Sequence, residues 1–248
     1  MITRTEQRQI TLLAAVAFLS RAALMFRPDW QFAPAGDDAF YIFSVVRNVA
    51  HGAGITIDGV HLTNGFHPLI ALLYLPLFLL DGGQGWLAIH LTFALQGLFA
   101  FVSVQLVARI ADALDTSSAD SGIMRPPVLA AAFWATAISI FLFTTNGLET
   151  GLAAMLLNMV MLRWLKLSAQ TTPPALKEQL SMGALLGLLV LARIDAALLV
   201  AVLALFMTVR SLRSGMGWVR AMVTPSVIAA TALLVSLPWW TFNLVNFG

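Results

Sequence analysis

The 248-residue chain carries 59% apolar and only 10% charged residues, at a formal net charge of +2. Soluble domains run at about 25% charged, so these charges cannot clothe a water-facing surface. The solvent must be mostly lipid, and no nucleic-acid partner is expected. Cysteine is absent, which excludes a disulfide framework and a thiolate metal site.

Apolar runs long enough to cross the hydrocarbon read as membrane helices. The first, 10–26, follows Arg4 and Arg8. A cleaved signal peptide can begin this way. Arg21 inside the run, and Met-Phe-Arg-Pro in place of a small-residue cleavage site, favour an uncleaved span with Arg21 snorkelling from its end. Residues 68–80 are apolar but short and bracketed by Pro68 and Pro76, which fits an interfacial or re-entrant helix better than a span. Further spans are predicted at 86–110, 127–143, 149–165, 180–192, 195–209 and 220–242. The pair 180–192 and 195–209 is split at Arg193-Ile194-Asp195. The fold class is therefore all-α, with seven spans in a single membrane core over 1–248.

The basic residues test this layout. With the N-terminus cytoplasmic and 68–80 not spanning, Arg4, Arg8, Arg109, Arg125, Arg163, Lys166, Lys177, Arg210, Arg213 and Arg220 all fall inside. That is the bias that multi-pass proteins show. Trp30, Trp86, Trp239 and Trp240 then lie at the outer boundary, and Trp164 and Trp218 at the inner one, as an aromatic belt. The inner loops 112–126 and 167–179 read as plain connectors.

The polar stretch 36–68, GDDAFYIFSVVRNVAHGAGITIDGVHLTNGFHP, holds Asp37, Asp38, Arg47, His51, His61 and His67. Its segment 38–50 has apolar residues at three-to-four spacing, an amphipathic helix able to lie on a membrane surface. Asp37 is then either its N-cap, with Asp38 favourable to the helix dipole, or a general base; the two roles are compatible. Two adjacent carboxylates can also hold a divalent cation, though they make a thin site. His67, before Pro68, is extended and placed to donate to an anion. Arg47 can pair with a phosphate or with Asp58. Asn146 and Glu149 have the spacing of a capping box. Arg193 and Asp195 sit inside an apolar run, where charge is expensive. They read either as a snorkelling pair or as a buried Arg for a lipid-linked phosphate, since Arg suits bidentate phosphate recognition. His51 and His61 read as solvated.

The order GDDAFYIFSVVRNVAHGAGITIDG, TNGFHPL, NGLETGL, LARIDA and PWWTFNLVNFG resembles the GT-C superfamily of membrane glycosyltransferases. Its members include bacterial aminoarabinose and arabinofuranosyl transferases and protein O-mannosyltransferases. The resemblance implies a seven-span core with two juxtamembrane helices in the first outer loop, here 38–51 and 68–80. It implies a polyprenyl-phosphate-linked sugar donor and inversion at the anomeric carbon. It further implies an acceptor hydroxyl on a glycan, lipid or protein, and a place in the cell's inner (cytoplasmic) membrane. It places the general base on Asp37, with Asp38 as a neighbour that helps place acceptor or metal. His67 and Arg193 are the best matches for donor phosphate, with Arg47, Glu149 and Asp195 as further substrate-binding candidates. Many members continue with more spans and an outer soluble domain, which this core is expected to lack.

Two other classes compete. A transporter or flippase of a lipid-linked substrate also uses intramembrane charge and broken helices, but here the charges gather on one face and no paired repeat is evident. A non-catalytic membrane scaffold is the third reading.

Overall fold

The computed structural model describes residues 2–26, 35–116, 125–170 and 172–248; the boundary role expected of Trp30 lies outside them. The regular elements among the described residues are helices, with one isolated β-bridge between Thr56 and Leu62, and the protein is an all-α, multi-pass membrane protein. Helix α1 is Arg4–Ala22, continued by a 3-10 turn Ala23–Phe26; α2 is Asp37–Ala50, α3 Pro68–Leu80, α4 Trp86–Leu114, α5 Pro126–Thr136, α6 Ile138–Thr144 and α7 Thr150–Ser168. Then follow α8, Leu176–Ala192, a 3-10 turn Ile194–Ala196, α9, Ala197–Arg213, and α10, Trp218–Phe247. Among the described residues five helices are long and apolar enough to cross a membrane, or six with α5 and α6 counted as one span bent by 58°. The expected span 180–192 lies in α8, which has 17 residues, about 26 Å of helix. Both short segments of the first loop are helical: α3 has the bounds predicted for 68–80, with Pro68 in its first turn where a missing N–H costs nothing.

The chain forms two compact units, Met1–Asn158 and Met159–Gly248. In the first, α1, α4 and α5 meet through small residues. Ala14 and Ala17 on α1, Ala100 and Ala108 on α4, and Ala131 and Ala135 on α5 share one cluster with Ile10, Val104 and Val128. Small side chains let helix backbones approach closely, which is how helices associate in lipid. At one end Arg125 reaches Glu6 (3.5 Å), Asp112 (3.5 Å) and Asp115 (3.1 Å), tying α1, α4 and the start of α5. The hydrogen bond to Asp115, ahead of the charges of Glu6 and Asp112, holds the Arg125 guanidinium above its ordinary pKa. The ends of the 112–126 segment are thus a polar clamp, where a plain connector was expected.

Helix α2 buries Ala39, Ile42, Phe43, Val45 and Val46, the apolar face its spacing predicts. Phe43 meets Tyr74 and Phe78 of α3 with ring centroids 5.8 and 6.2 Å apart. The predicted 127–143 span is broken at Ala137, whose extended backbone (ψ 119°) separates α5 from α6.

In the second unit α8 packs on α10 through two glycines. A Cβ on Gly183 would stand 2.6 Å from the Ile228 carbonyl, and one on Gly187 2.7 Å from the Ala232 carbonyl. Helix α9 has no buried residue, as fits a helix facing lipid. The break at Arg193 is present: the residue is extended and ends α8.

Candidate functional site

In the first unit the start of α2, His67 and Glu149 meet at the connector 145–149, between α6 and α7. Gly147 is its pivot. Its φ of +80° is one that side-chain-bearing residues rarely adopt, and a Cβ there would lie 2.7 Å from Ala39 Cβ of α2. The connector's backbone is then bonded from three helices. The Gly36 N–H donates to the Asn146 carbonyl (3.3 Å), and the Tyr74 hydroxyl of α3 donates to the Gly147 carbonyl (3.1 Å). Gln96 of α4 donates to the Tyr74 hydroxyl (2.8 Å) and to the Leu148 carbonyl (3.4 Å), and accepts from the Gly147 N–H (3.4 Å). Tyr74 and Gln96 are fully buried, and a buried polar group without a partner is costly. The network therefore fixes where the connector runs.

Asp37 is the first residue of α2, and Gly36 is the N-cap, with no side-chain cap bond. The N-cap reading of Asp37 is thus displaced by one residue. Both Asp37 and Asp38 are exposed in the first turn, where a negative charge is favourable to the helix dipole. Among the described residues no group of three or more metal-ligating side chains converges, so the divalent-cation reading rests on this carboxylate pair alone.

The capping-box reading of Asn146 and Glu149 also gives way. The Asn146 side chain accepts from the Leu148 N–H (3.1 Å) two residues on, an Asx-type turn. Helix α7 begins only at Thr150. Glu149 is buried, and its carboxylate lies 3.6 Å from Nε2 of His67. His67 is the extended residue before α3, as the following proline dictates. Its other ring nitrogen, Nδ1, is buried with no hydrogen-bond partner.

The loop 51–67 that carries His67 is tied to α2. Asn48 donates to the Thr56 and Ile57 carbonyls (3.0 and 3.1 Å), and the Tyr41 and Thr63 hydroxyls are bonded to each other. His51 is bonded to the Gly83 carbonyl after α3 (2.9 Å). Asp58 accepts from the Val60 and His61 N–H groups and from the His61 ring (2.9, 2.8 and 2.7 Å). Both histidines therefore have protein partners as well as solvent. The His61 hydrogen bonds, first that of its ring, hold the Asp58 carboxyl well below the usual range. Of the two partners open to Arg47, Asp58 is taken by this clasp; Arg47 is exposed on the last turn of α2, its stem beside Gly85.

Arg193 and Asp195 pair through two hydrogen bonds of 3.2 Å each. Their side chains are 43% and 68% exposed, so the expectation of a buried Arg193 gives way to a half-exposed ion pair. Among the described residues the buried arginine is Arg21, expected to snorkel. It has no exposed surface. Its guanidinium donates to the Ala17 carbonyl (3.0 Å) and the Thr144 hydroxyl (3.1 Å) and lies 4.9 Å from the Phe141 ring centre. Tyr74, Gln96 and Thr144 were also missed. For Gln96 and Arg21 the signal was available, as polar residues inside apolar spans face the protein interior.

No protein-family model, curated protein or solved structure matches this chain.

Proposed function

We propose that the chain is the membrane core of an inverting glycosyltransferase. It moves a sugar from a polyprenyl-phosphate donor to an acceptor hydroxyl on the outer face of the inner membrane, with the N-terminus cytoplasmic. In this reading the core is of the GT-C kind and seven-span, with α5 and α6 as one span, α8 as another, and α2 and α3 as the juxtamembrane helices. The observation that carries it is the five-residue connector 145–149. It is bonded to the residue before Asp37 and presents Glu149 to His67, so a helix start bearing two acids and a histidine–carboxylate pair share one support.

Asp37 takes the acceptor hydroxyl's proton as the acceptor oxygen bonds to the anomeric carbon. The carbon–oxygen bond to the phosphate breaks, and the bonding electrons leave with the polyprenyl phosphate. Charge grows on that phosphate, and groups aimed at growing charge accelerate the step. His67 fits this task, with one nitrogen on Glu149 and the other, Nδ1, without a partner. Asp38 places the acceptor, and Arg47 contributes a cationic contact to the donor.

The test is transfer by the full chain in lipid vesicles from a defined polyprenyl-phosphate sugar. Asp37→Asn is expected to lower the rate by at least about a hundredfold, the scale of a lost general base, with donor binding retained. Undiminished transfer by that variant removes the base assignment. Movement of the lipid-linked substrate across the vesicle without transfer replaces the reading with transport.

A further inference from the structure

Arg21 stands apart from the residues assigned above. It sits at the end of α1, on the face that carries Ile10, Ala14 and Ala17 against α4 and α5. A guanidinium without exposure in a low-dielectric interior is expensive, and among the described residues no carboxylate forms an ion pair with it. Apolar packing alone would join these helices at lower cost. What an arginine adds is a rigid planar fork. One arm grips the carbonyl of its own helix at Ala17, and the other reaches the Thr144 hydroxyl, 123 residues away in sequence. The guanidinium carbon lies over the ring of Phe141, one turn earlier on α6, a cation–π contact that strengthens when desolvated. Room for this comes from α4: a Cβ on Gly97 would lie 2.9 Å from the Phe18 carbonyl and 3.5 Å from Arg21 Cβ.

Thr144 is the last residue of α6, and the connector 145–149 starts at the next residue. Gln96, beside Gly97 on α4, grips that connector further along. We propose that Arg21 is a positioning residue: it holds the end of α6 and so sets the connector from which Glu149 meets His67. The glycosyl-transfer reading enters only the kinetic arm of the test.

The test uses the full chain in lipid nanodiscs with nitrogen-15-labelled histidine. Four histidines are present, and His67→Gln assigns the signal. In Arg21→Met and in Thr144→Val, the His67 ring resonances are expected to move to those of the Glu149→Gln protein. Those of His51 and His61 should stay in place. Thr144→Ser, which keeps the hydroxyl, is expected to retain the wild-type resonances. A purely structural role would lower the unfolding temperature and leave the folded-state resonances unmoved. Unmoved His67 resonances in folded Arg21→Met and Thr144→Val overturn the proposal. If Arg21→Met does not fold, Thr144→Val, one lost hydroxyl, decides alone. In the kinetic arm kcat is expected to fall about tenfold or more in both variants, since small misplacements of reacting groups are costly. A wild-type chain that transfers no sugar removes the glycosyl-transfer reading, while the resonances still decide the role of Arg21.

Discussion

The two units solve the problem of polar groups in lipid differently. In Met1–Asn158 some hydroxyls return to their own helix, as Ser44 to Phe40 and Thr136 to Ala132, but other side chains reach across the sequence: Arg21 to Thr144, Tyr74 to Gly147, Gln96 to Leu148, Arg125 to Glu6. In Met159–Gly248 most return to their own helix one turn back, as Thr208 to Ala204, Thr231 to Val227, Ser236 to Ala232 and Asn243 to Trp239. Arg210, bonded to the Ser168 carbonyl, is an exception. Self-satisfied hydroxyls cost little and specify little. Long-range bonds in a dry interior fix one arrangement and leave a costly orphan if any member is lost. The first unit is therefore built to hold a constellation of groups in place, and the second is held mainly by shape.

If shape holds the second unit, filling its glycine contacts should do the greatest damage. Gly187→Val places a branched side chain where even a Cβ stands 2.6 Å from Val235 Cβ and 2.7 Å from the Ala232 carbonyl. The carbonyl belongs to the backbone, so α8 and α10 must separate. The expected cost is about 3 kcal/mol, the upper end for overpacking, offset only by about 0.3 kcal/mol of helix propensity, since valine is itself a weak helix former. Denaturant titration of the chain in mixed micelles measures it. An unchanged midpoint would mean that the α8–α10 contact does not hold the unit together.

Gln96→Leu sharpens the comparison from the other side. It leaves the Gly147 N–H and the Leu148 carbonyl without the Gln96 side chain, at an expected cost of about 1–2 kcal/mol for buried groups stripped of a partner. Thr231→Val, which keeps the shape and removes only a bond to its own helix, is expected to cost less than about 0.6 kcal/mol, near the mean for intramembrane hydrogen bonds. Equal midpoints for the two variants would erase the distinction between the units.

The layout of helices was largely legible because it is written in local composition. Pro68 in the first turn of α3, the apolar spacing of α2 and the charged step at Arg193 are signals within a few residues. The bend at Ala137 was not legible, because neither glycine nor proline marks it. The site was legible only as a set of residue types. That His67 meets Glu149, and that Arg21 rather than Arg193 is the buried arginine, depend on partners 82 and 123 positions away or on burial, which hydropathy does not encode. Asn146 and Glu149 misled because capping-box spacing also fits an Asx turn followed by a buried acid.

The loop clasp at Asp58 probes the comparison at its weakest point, since it lies in the first unit yet is local and exposed. The folded-state pKa of Asp58 is depressed, by the His61 ring first and then by the His61 and Val60 amides. The sign follows. The clasp contributes above the ordinary carboxylate pKa of about 4, and the contribution disappears as pH falls through the lower folded-state value. Hydrogen exchange at the Val60 and His61 amides, corrected for intrinsic rate, should therefore stay slow at about pH 4, where an ordinary aspartate is half protonated. It should accelerate only on further acidification. Asp58→Ala should expose both amides at every pH while leaving the helices' unfolding midpoint unmoved, because the clasp touches none of the bonds that hold the connector 145–149. A shifted midpoint would make the loop part of the long-range network. The division between local and cross-chain bonding would then run through the first unit rather than between the two.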